Sequence, residues 1–105
     1  MVKEITELSE LTTALDEHDV VVVDYWATWC GPCKQIAQFY KQLDKTYENV
    51  CFLKVDIDEA EKLASSQEIQ CMPTFHIYKN KERVGLIKGA NKELLEDTIK
   101  NVNNL

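Results

Sequence analysis

Two cysteines separated by two residues are the most chemically suggestive feature of this chain. Cys30 and Cys33 enclose Gly31 and Pro32, and a nearly continuous apolar run, Val20–Trp26, comes just before them. Such a pair, placed where a buried strand passes into a helix, can bring its sulfurs within bonding distance and alternate between dithiol and disulfide. The pattern therefore predicts thiol–disulfide chemistry.

The two cysteines should differ in role because they occupy different positions at the start of the helix. The free N–H groups and the partial positive charge of a helix N-terminus stabilise a thiolate. Cys30, at the outer edge of the turn, is predicted to be the nucleophile, and Cys33, one turn inward, is predicted to be the buried resolving thiol. Pro32 suits a first helical turn because its missing N–H is not needed there. Gly31 leaves room for another backbone to approach the sulfurs.

Two other interpretations of the cysteine pair stay open at this point. A zinc site needs two further ligands, normally a second closely spaced pair. The remaining candidates share no such spacing: Cys51, Cys71, His18 and His76. The pair could also be structural thiols that are close by chance. Redox chemistry is favoured, and no bound metal is expected.

Length and composition are typical of one folded domain without affinity for nucleic acid or membranes. The chain has 105 residues, of which 45% are hydrophobic and 29% charged, enough for one hydrophobic core. The net charge of −6 is spread along the chain, whereas nucleic acids and anionic membranes attract clustered Lys and Arg. No apolar stretch suits a signal peptide or a membrane span. We expect a single domain, residues 1–105, in the cytoplasm, where cysteines stay reduced unless redox chemistry is their purpose.

Alternating strand and helix patterns predict an α/β fold in the order β-α-β-α-β-α-β-β-α. The predicted strands are Val2–Ile5, Val20–Trp26, Val50–Asp56, Thr74–Tyr78 and Arg83–Lys88. The predicted helices run from Leu8 to about Asp16–His18, from near Cys33 to Tyr47, weakly over Glu59–Gln67, and over Leu94–Val102. This alternation implies a mostly parallel sheet covered on both faces. A final hairpin, with Asn80 in its turn, adds an antiparallel edge.

The segment Trp29–Lys34, with Asp24–Ala27 before it, resembles the active-site segment of the thioredoxin family. The likeness continues through Val55–Asp58, Met72–Phe75 and Lys88–Lys92, so it covers essentially the whole chain. It implies the thioredoxin fold, which is a central mixed, mostly parallel five-stranded sheet flanked by four helices.

The residues between the two cysteines resemble one branch of that family more than others. The Gly31–Pro32 dipeptide is typical of thioredoxins proper, whereas disulfide isomerases usually carry Gly-His and glutaredoxins Pro-Tyr. Cys71, next to Met72–Pro73, is similar to animal-type cytosolic members. Gln38 departs from the pattern, because the family commonly has a proline there that kinks the second helix.

The resemblance implies a protein-disulfide reductase that acts as an electron carrier. The Cys30 thiolate would attack a substrate disulfide, and Cys33 would then release the reduced substrate. No cofactor would be bound, and NADPH would act indirectly through a flavin-containing thioredoxin reductase. The usual clients of the family are ribonucleotide reductase, peroxiredoxins and methionine sulfoxide reductases. A glutathione-linked or oxidising relative and a non-catalytic binding module are the alternatives.

Two ionisable residues are candidates for assisting the cysteines. Asp24 lies within the apolar strand, where burial should raise its pKa because the charged form loses solvation. Family members use an aspartate at this position to accept the proton of the resolving thiol, whereas the alternative is a strand-end acid that points to water. Lys54, in the neighbouring strand, either shares the surroundings of Asp24, as in bacterial members, or is a solvated lysine.

A flat apolar rim around Cys30 is also implied by the resemblance. Its members would be Trp29, Pro32, Met72, Gly89 and Ala90, although Trp29 could instead pack in the core. Pro73, which from sequence alone merely begins a strand, would be a cis proline packed against the disulfide. There it would expose the Met72 backbone to substrate and block metal capture. Cys71, if exposed beside the rim, could join otherwise monomeric chains into an oxidised dimer or accept glutathione or a nitrosyl group; the alternative is an inert spare thiol. Cys51 lies in a predicted interior strand and is expected to be a small buried residue.

Overall fold

The computed structural model describes the whole chain, Met1–Leu105, and contains the nine elements in the predicted order. The strands are β1 (Lys3–Glu4), β2 (Val20–Trp26), β3 (Cys51–Asp56), β4 (Thr74–Lys79) and β5 (Glu82–Lys88). The helices are α1 (Leu8–Glu17), α2 (Gly31–Thr46), α3 (Glu61–Ser66) and α4 (Lys92–Asn103). None of these helices is both long and apolar enough to cross a membrane.

The five strands form one mixed sheet in the order β1-β3-β2-β4-β5. β1 and β2 run parallel to β3, whereas β4 runs antiparallel to both β2 and β5. The mixed five-stranded sheet with four helices is therefore confirmed. The expectation that parallel pairs would predominate needs correction, because parallel and antiparallel pairs are equal in number.

β4 begins at the edge of the sheet where β2 and β3 end. Thr74, its first residue, pairs with Tyr25 near the end of β2. The short helix α3, of six residues, lies in the connection from β3 to β4. The antiparallel pairing thus puts the start of β4 at the same edge of the sheet as the segment that leads from β2 to Cys30.

β2 is buried on both faces because its side chains alternate between two hydrophobic cores. Val20 and Val22 belong to the core beneath α2 and α4, and Val21 and Val23 to the core beneath α1 and α3. The continuous run of β-branched residues in β2 is typical of such a doubly covered strand. The core thus fixes β2, and β2 ends four residues before Cys30.

The hairpin between β4 and β5 confirms the turn predicted from Asn80. Asn80 and Lys81 have positive φ angles of 52° and 73°. A two-residue hairpin turn of this kind needs positive φ at both central positions, which asparagine tolerates well. The hairpin places Lys88 opposite Thr74, so the end of β5 lies beside the start of β4.

Candidate active site

The cysteine pair lies at the N-terminus of α2. Cys30 is the N-cap residue, and Pro32 occupies the first turn. Cys30 and Cys33 are joined by a disulfide bond, with their Cα atoms 5.3 Å apart. The backbone N–H of Cys33 donates a hydrogen bond to Sγ of Cys30 at 3.2 Å. The amide groups and dipole of α2 are thus directed at the sulfur of Cys30, where they stabilise negative charge.

The surroundings of the disulfide are apolar and largely closed. Ala27 and the two cysteines form a small buried cluster, against which Trp26, Ile57 and Met72 pack. Cys30 is 6% exposed and Cys33 3% exposed, so exposure alone does not separate their roles. Their polar neighbours do, because Cys33 borders the cleft that contains Asp24, whereas Cys30 does not.

Asp24 is a buried carboxyl group in the cleft behind the disulfide. It is 5% exposed, and its Oδ1 atom has no hydrogen-bond partner. The cleft has a volume of about 790 Å³ and is lined by Cys33 and Lys54 as well. Burial raises the pKa of Asp24 to about 7, and the positive charge of Lys54 opposes that rise. Near neutral pH both protonation states are populated, a condition that suits proton transfer.

Lys54 shares the surroundings of Asp24. The two residues are direct neighbours in the register between β2 and β3. Lys54 is half-buried, and its Nζ atom lies 5.3 Å from the centroid of the Trp26 ring. Of the two interpretations left open for Lys54, the structure favours the one that places it beside Asp24 over that of a fully solvated lysine.

The loop before β4 brings the predicted rim residue Met72 to the cysteines. The Met72–Pro73 peptide bond is cis, and Met72 packs against the cysteine cluster. The carbonyl oxygen of Pro73 accepts a hydrogen bond from the N–H of Gly89 at 2.8 Å, which joins the end of β5 to this loop. Ala90 instead packs, half-buried, against the core beneath α2 and α4.

Trp29 is a surface residue, so the interpretation of core packing was wrong. Its side chain is 64% exposed, and its Nε1–H donates a hydrogen bond to Oδ2 of Asp58 at 2.8 Å. Asp58 was not predicted as a site residue. The available signal was the topology, because the carboxyl ends of neighbouring parallel strands meet at one edge of a sheet. Asp58 follows β3 at the edge where Trp29 follows β2.

The two remaining cysteines are free and partly exposed. Sγ of Cys71 lies 3.6 Å from Oγ1 of Thr74, next to the loop that carries Met72. Cys51 was expected to be a small buried residue, but it is half-buried and lines a separate cleft. No group of three or more His, Cys, Asp or Glu side chains is arranged to hold a metal ion.

Comparison with known proteins decides the family. The model of the Thioredoxin family matches residues 2–101. Thioredoxin of Homo sapiens is 50% identical over 101 residues, which are 94% of this chain and 96% of the human protein. The chain belongs to the thioredoxin family. Thioredoxins are thiol–disulfide oxidoreductases that need no bound cofactor, and Cys30–Cys33 occupies their active-site position as a redox-active disulfide.

Solved structures agree with this thioredoxin assignment. Thioredoxin of Plasmodium falciparum superimposes with a TM-score of 0.90 at 41% identity, covering 95% of this chain and 98% of that one. A chain from a study of thiol resolution in yeast mitochondrial 1-Cys peroxiredoxin, through the glutathione and thioredoxin systems, gives a TM-score of 0.91. It is 37% identical and covers 95% of this chain and 94% of that one. The predicted fold and the predicted dithiol–disulfide function are both confirmed.

Proposed function

We propose that this thioredoxin-family chain reduces protein disulfides with Cys30 as the attacking thiolate and Cys33 as the resolving thiol. The observation that carries the assignment is the difference between their polar surroundings. Sγ of Cys30 accepts an N–H at the start of α2, which favours the thiolate. Cys33 borders the cleft of Asp24, a carboxyl group poised to accept a proton near neutral pH.

The reaction proceeds in two exchange steps. The Cys30 thiolate attacks one sulfur of the substrate disulfide, forms a mixed disulfide and releases the first substrate thiolate. Cys33 then gives its proton to Asp24 and attacks Sγ of Cys30, which releases the second substrate thiolate. Two electrons pass from the dithiol to the substrate. Asp24 returns its proton to water through the cleft, and Lys54 moderates its pKa.

The substrate-binding surface is the rim around Cys30. Trp29, Gly31 and Pro32 are exposed at the start of α2. Met72 packs against the cysteine cluster, and the N–H of Gly89 donates a hydrogen bond to the carbonyl oxygen of Pro73 in the same loop. An extended substrate segment pairs with the Met72 backbone. Ala90, next to Gly89 in the chain, is half-buried and packs against the core beneath α2 and α4.

The proposed partners are those of the family. Disulfide-containing proteins are the substrates, with ribonucleotide reductase, methionine sulfoxide reductase and peroxiredoxin among them. The link of one structural neighbour to a study of yeast peroxiredoxin supports the last of these. A flavin-containing thioredoxin reductase restores the dithiol with electrons from NADPH. The chain acts in the cytoplasm as a single domain and is a monomer. A disulfide bond between the half-buried Cys71 residues of two copies forms a dimer only under oxidising conditions.

Trapping the mixed disulfide tests the roles of the two cysteines. The variants Cys33→Ser and Cys30→Ser are made in a background that lacks Cys51 and Cys71. Each variant is mixed with insulin whose disulfide bonds are intact, and the products are analysed by non-reducing gel and mass spectrometry. Cys33→Ser should accumulate a covalent adduct, and Cys30→Ser should form none. An adduct on Cys33 in the Cys30→Ser variant would reverse the assignment.

A redox titration of the intact pair separates a reductant from an oxidising relative. Fluorescence of Trp29, which adjoins Cys30, provides the signal. A midpoint potential near the roughly −270 mV known for thioredoxin itself supports a reductant, whereas about −120 to −180 mV is the range of oxidants and isomerases.

The proposed dimer is tested separately. A Cys71→Ser variant that still forms oxidised dimers on non-reducing gels would rule out the proposed link through Cys71.

A further inference from the structure

Four lysines line the cleft that contains Asp24. Lys34, Lys41 and Lys45 come from α2, and Lys54 comes from β3 on the opposite wall. The three lysines of α2 are seven and four positions apart, so they lie on one face of the helix. The whole chain carries a net charge of −6, and one third of its 12 basic residues line this single cleft.

None of these four lysines forms a salt bridge. The two salt bridges in the structure join the Met1 amino group to Asp44 at 2.9 Å and Lys81 to Asp16 at 3.1 Å. Asp44 and Asp24 are the only acidic residues that line the cleft. The first is held by the amino terminus, and burial keeps the second largely uncharged below about pH 7. Positive charge therefore exceeds negative charge in the cleft.

The cleft combines this charge with an apolar floor. Trp26, Ala37 and Tyr40 are among its lining residues, and Gln38 adds an amide group. The volume of about 790 Å³ lies within the roughly 300–1,000 Å³ typical of small-molecule sites. Asp24 lines the cleft as well, and its Oδ1 atom is buried without a hydrogen-bond partner within the protein.

We propose that this cleft binds a small organic anion whose phosphate or carboxylate group contacts the lysines and whose apolar body lies against Trp26. Charge complementarity and the apolar floor together favour such a molecule over a neutral or cationic one. The bound anion lies next to Asp24 and opposes its ionisation. Binding of the anion therefore slows the proton transfer from Cys33 to Asp24. This consequence rests on the proposed role of Asp24 in the reductase reaction, whereas the binding of the anion does not depend on that role.

Titration of the oxidised protein with 1-naphthyl phosphate tests the site without any activity assay. Amide shifts in ¹⁵N-labelled protein should concentrate on residues 34–45 of α2 and on Lys54, and the Trp26 indole signal should move. The variant Lys41→Gln/Lys45→Gln should bind about tenfold more weakly, a loss of the size expected for two exposed charge contacts. Lys62→Gln/Lys100→Gln, which neutralises two exposed lysines on α3 and α4, is the matched control and should bind as the parent does.

Two results would overturn the proposal. One is equal affinity of the Lys41→Gln/Lys45→Gln variant and its matched control. The other is a set of shifts confined to the rim around Trp29. If the site binds the probe, a ¹³C titration of the Asp24 carboxyl group should show a higher pKa with 1-naphthyl phosphate than without it. If the probe does not bind, the anion site is refuted and the proposed reductase function is unaffected. If Asp24→Asn reduces disulfides at the wild-type rate, the proton-transfer role of Asp24 is refuted and the anion site is unaffected.

Discussion

Replacing Asp24 by asparagine should stabilise the protein in a manner that depends on pH. Folding raises the pKa of this carboxyl group from an ordinary value of 3.8 to about 7, because burial removes the solvation of its charged form. At about 1.36 kcal/mol per pKa unit, this shift corresponds to about 4 kcal/mol. The folded protein binds the proton more tightly than the unfolded chain. Stability therefore falls as the pH rises from 3.8 through 7, and asparagine, which cannot ionise, removes that loss.

Chemical unfolding of the oxidised proteins measures this effect. The free energy of unfolding of Asp24→Asn minus that of the wild type should grow by about 4 kcal/mol between pH 4 and pH 8.5. With a urea m value of about 1–2 kcal/mol/M, the unfolding midpoints should separate by roughly 2–4 M. Other titrating groups are present in both proteins, so their contributions cancel in the difference.

A difference in unfolding free energy that is the same at pH 4 and pH 8.5 would refute the reasoning. It would mean that the carboxyl group of Asp24 is solvated or paired in the folded protein. The variant Asp97→Asn removes an exposed carboxylate from α4 and controls for the change in net charge. A matching pH-dependent gain in that variant would assign the effect to general charge repulsion.

Three further substitutions test single contacts. Lys54→Gln removes a charge that lowers the pKa of Asp24, so a carboxyl ¹³C titration should show that pKa above about 7. Burial lowers the pKa of His76 from 6.5 to about 4, so wild-type stability should fall as the pH drops from 6.5 to about 4. His76→Gln should abolish this loss of up to about 3 kcal/mol in urea unfolding. Gly85→Ala would place a Cβ atom 3.1 Å from Cβ of Ile77, which should cost about 1–3 kcal/mol in thermal unfolding.

Each of these substitutions has a clear contrary outcome. An unchanged Asp24 titration in Lys54→Gln would show that the lysine is screened by solvent. Parallel pH profiles for His76→Gln and the wild type would show that the imidazole is protonated freely in the folded state. A neutral Gly85→Ala would show that the contact with Ile77 relaxes at little cost.

Local patterns in the sequence were sufficient for the parts of the site that depend on neighbouring residues. The apolar run of β2 predicted a buried strand, and its end placed the cysteine pair between that strand and a helix predicted to start near Cys33; in the structure the helix starts two residues earlier, at Gly31. The burial of Asp24 followed from the same run, because every side chain flanking it is apolar or aromatic. These predictions hold since strand and helix patterns depend on short-range periodicity.

Features that depend on distant segments were not predictable in this way. The antiparallel direction of β4 relative to β2 is a property of the assembled sheet, and the local pattern of β4 carries no information about it. The hydrogen bond between Trp29 and Asp58 joins residues 29 positions apart. The register of β2 and β3, which places Lys54 beside Asp24, is likewise a property of the assembled sheet.

The position of β4 next to β2 has a consequence for synthesis of the chain. β2 needs β4 as a neighbour on one side, yet β4 is made about fifty residues after β2. While only the first seventy residues have emerged, the backbone of Val20–Val23 presents an unpaired edge of β-branched residues. Exposed edges of this kind pair readily with other chains. A nascent or truncated chain that contains both active-site cysteines but lacks β4 is therefore prone to aggregate. Once β4 has been made, it pairs with β2 and covers that exposed edge.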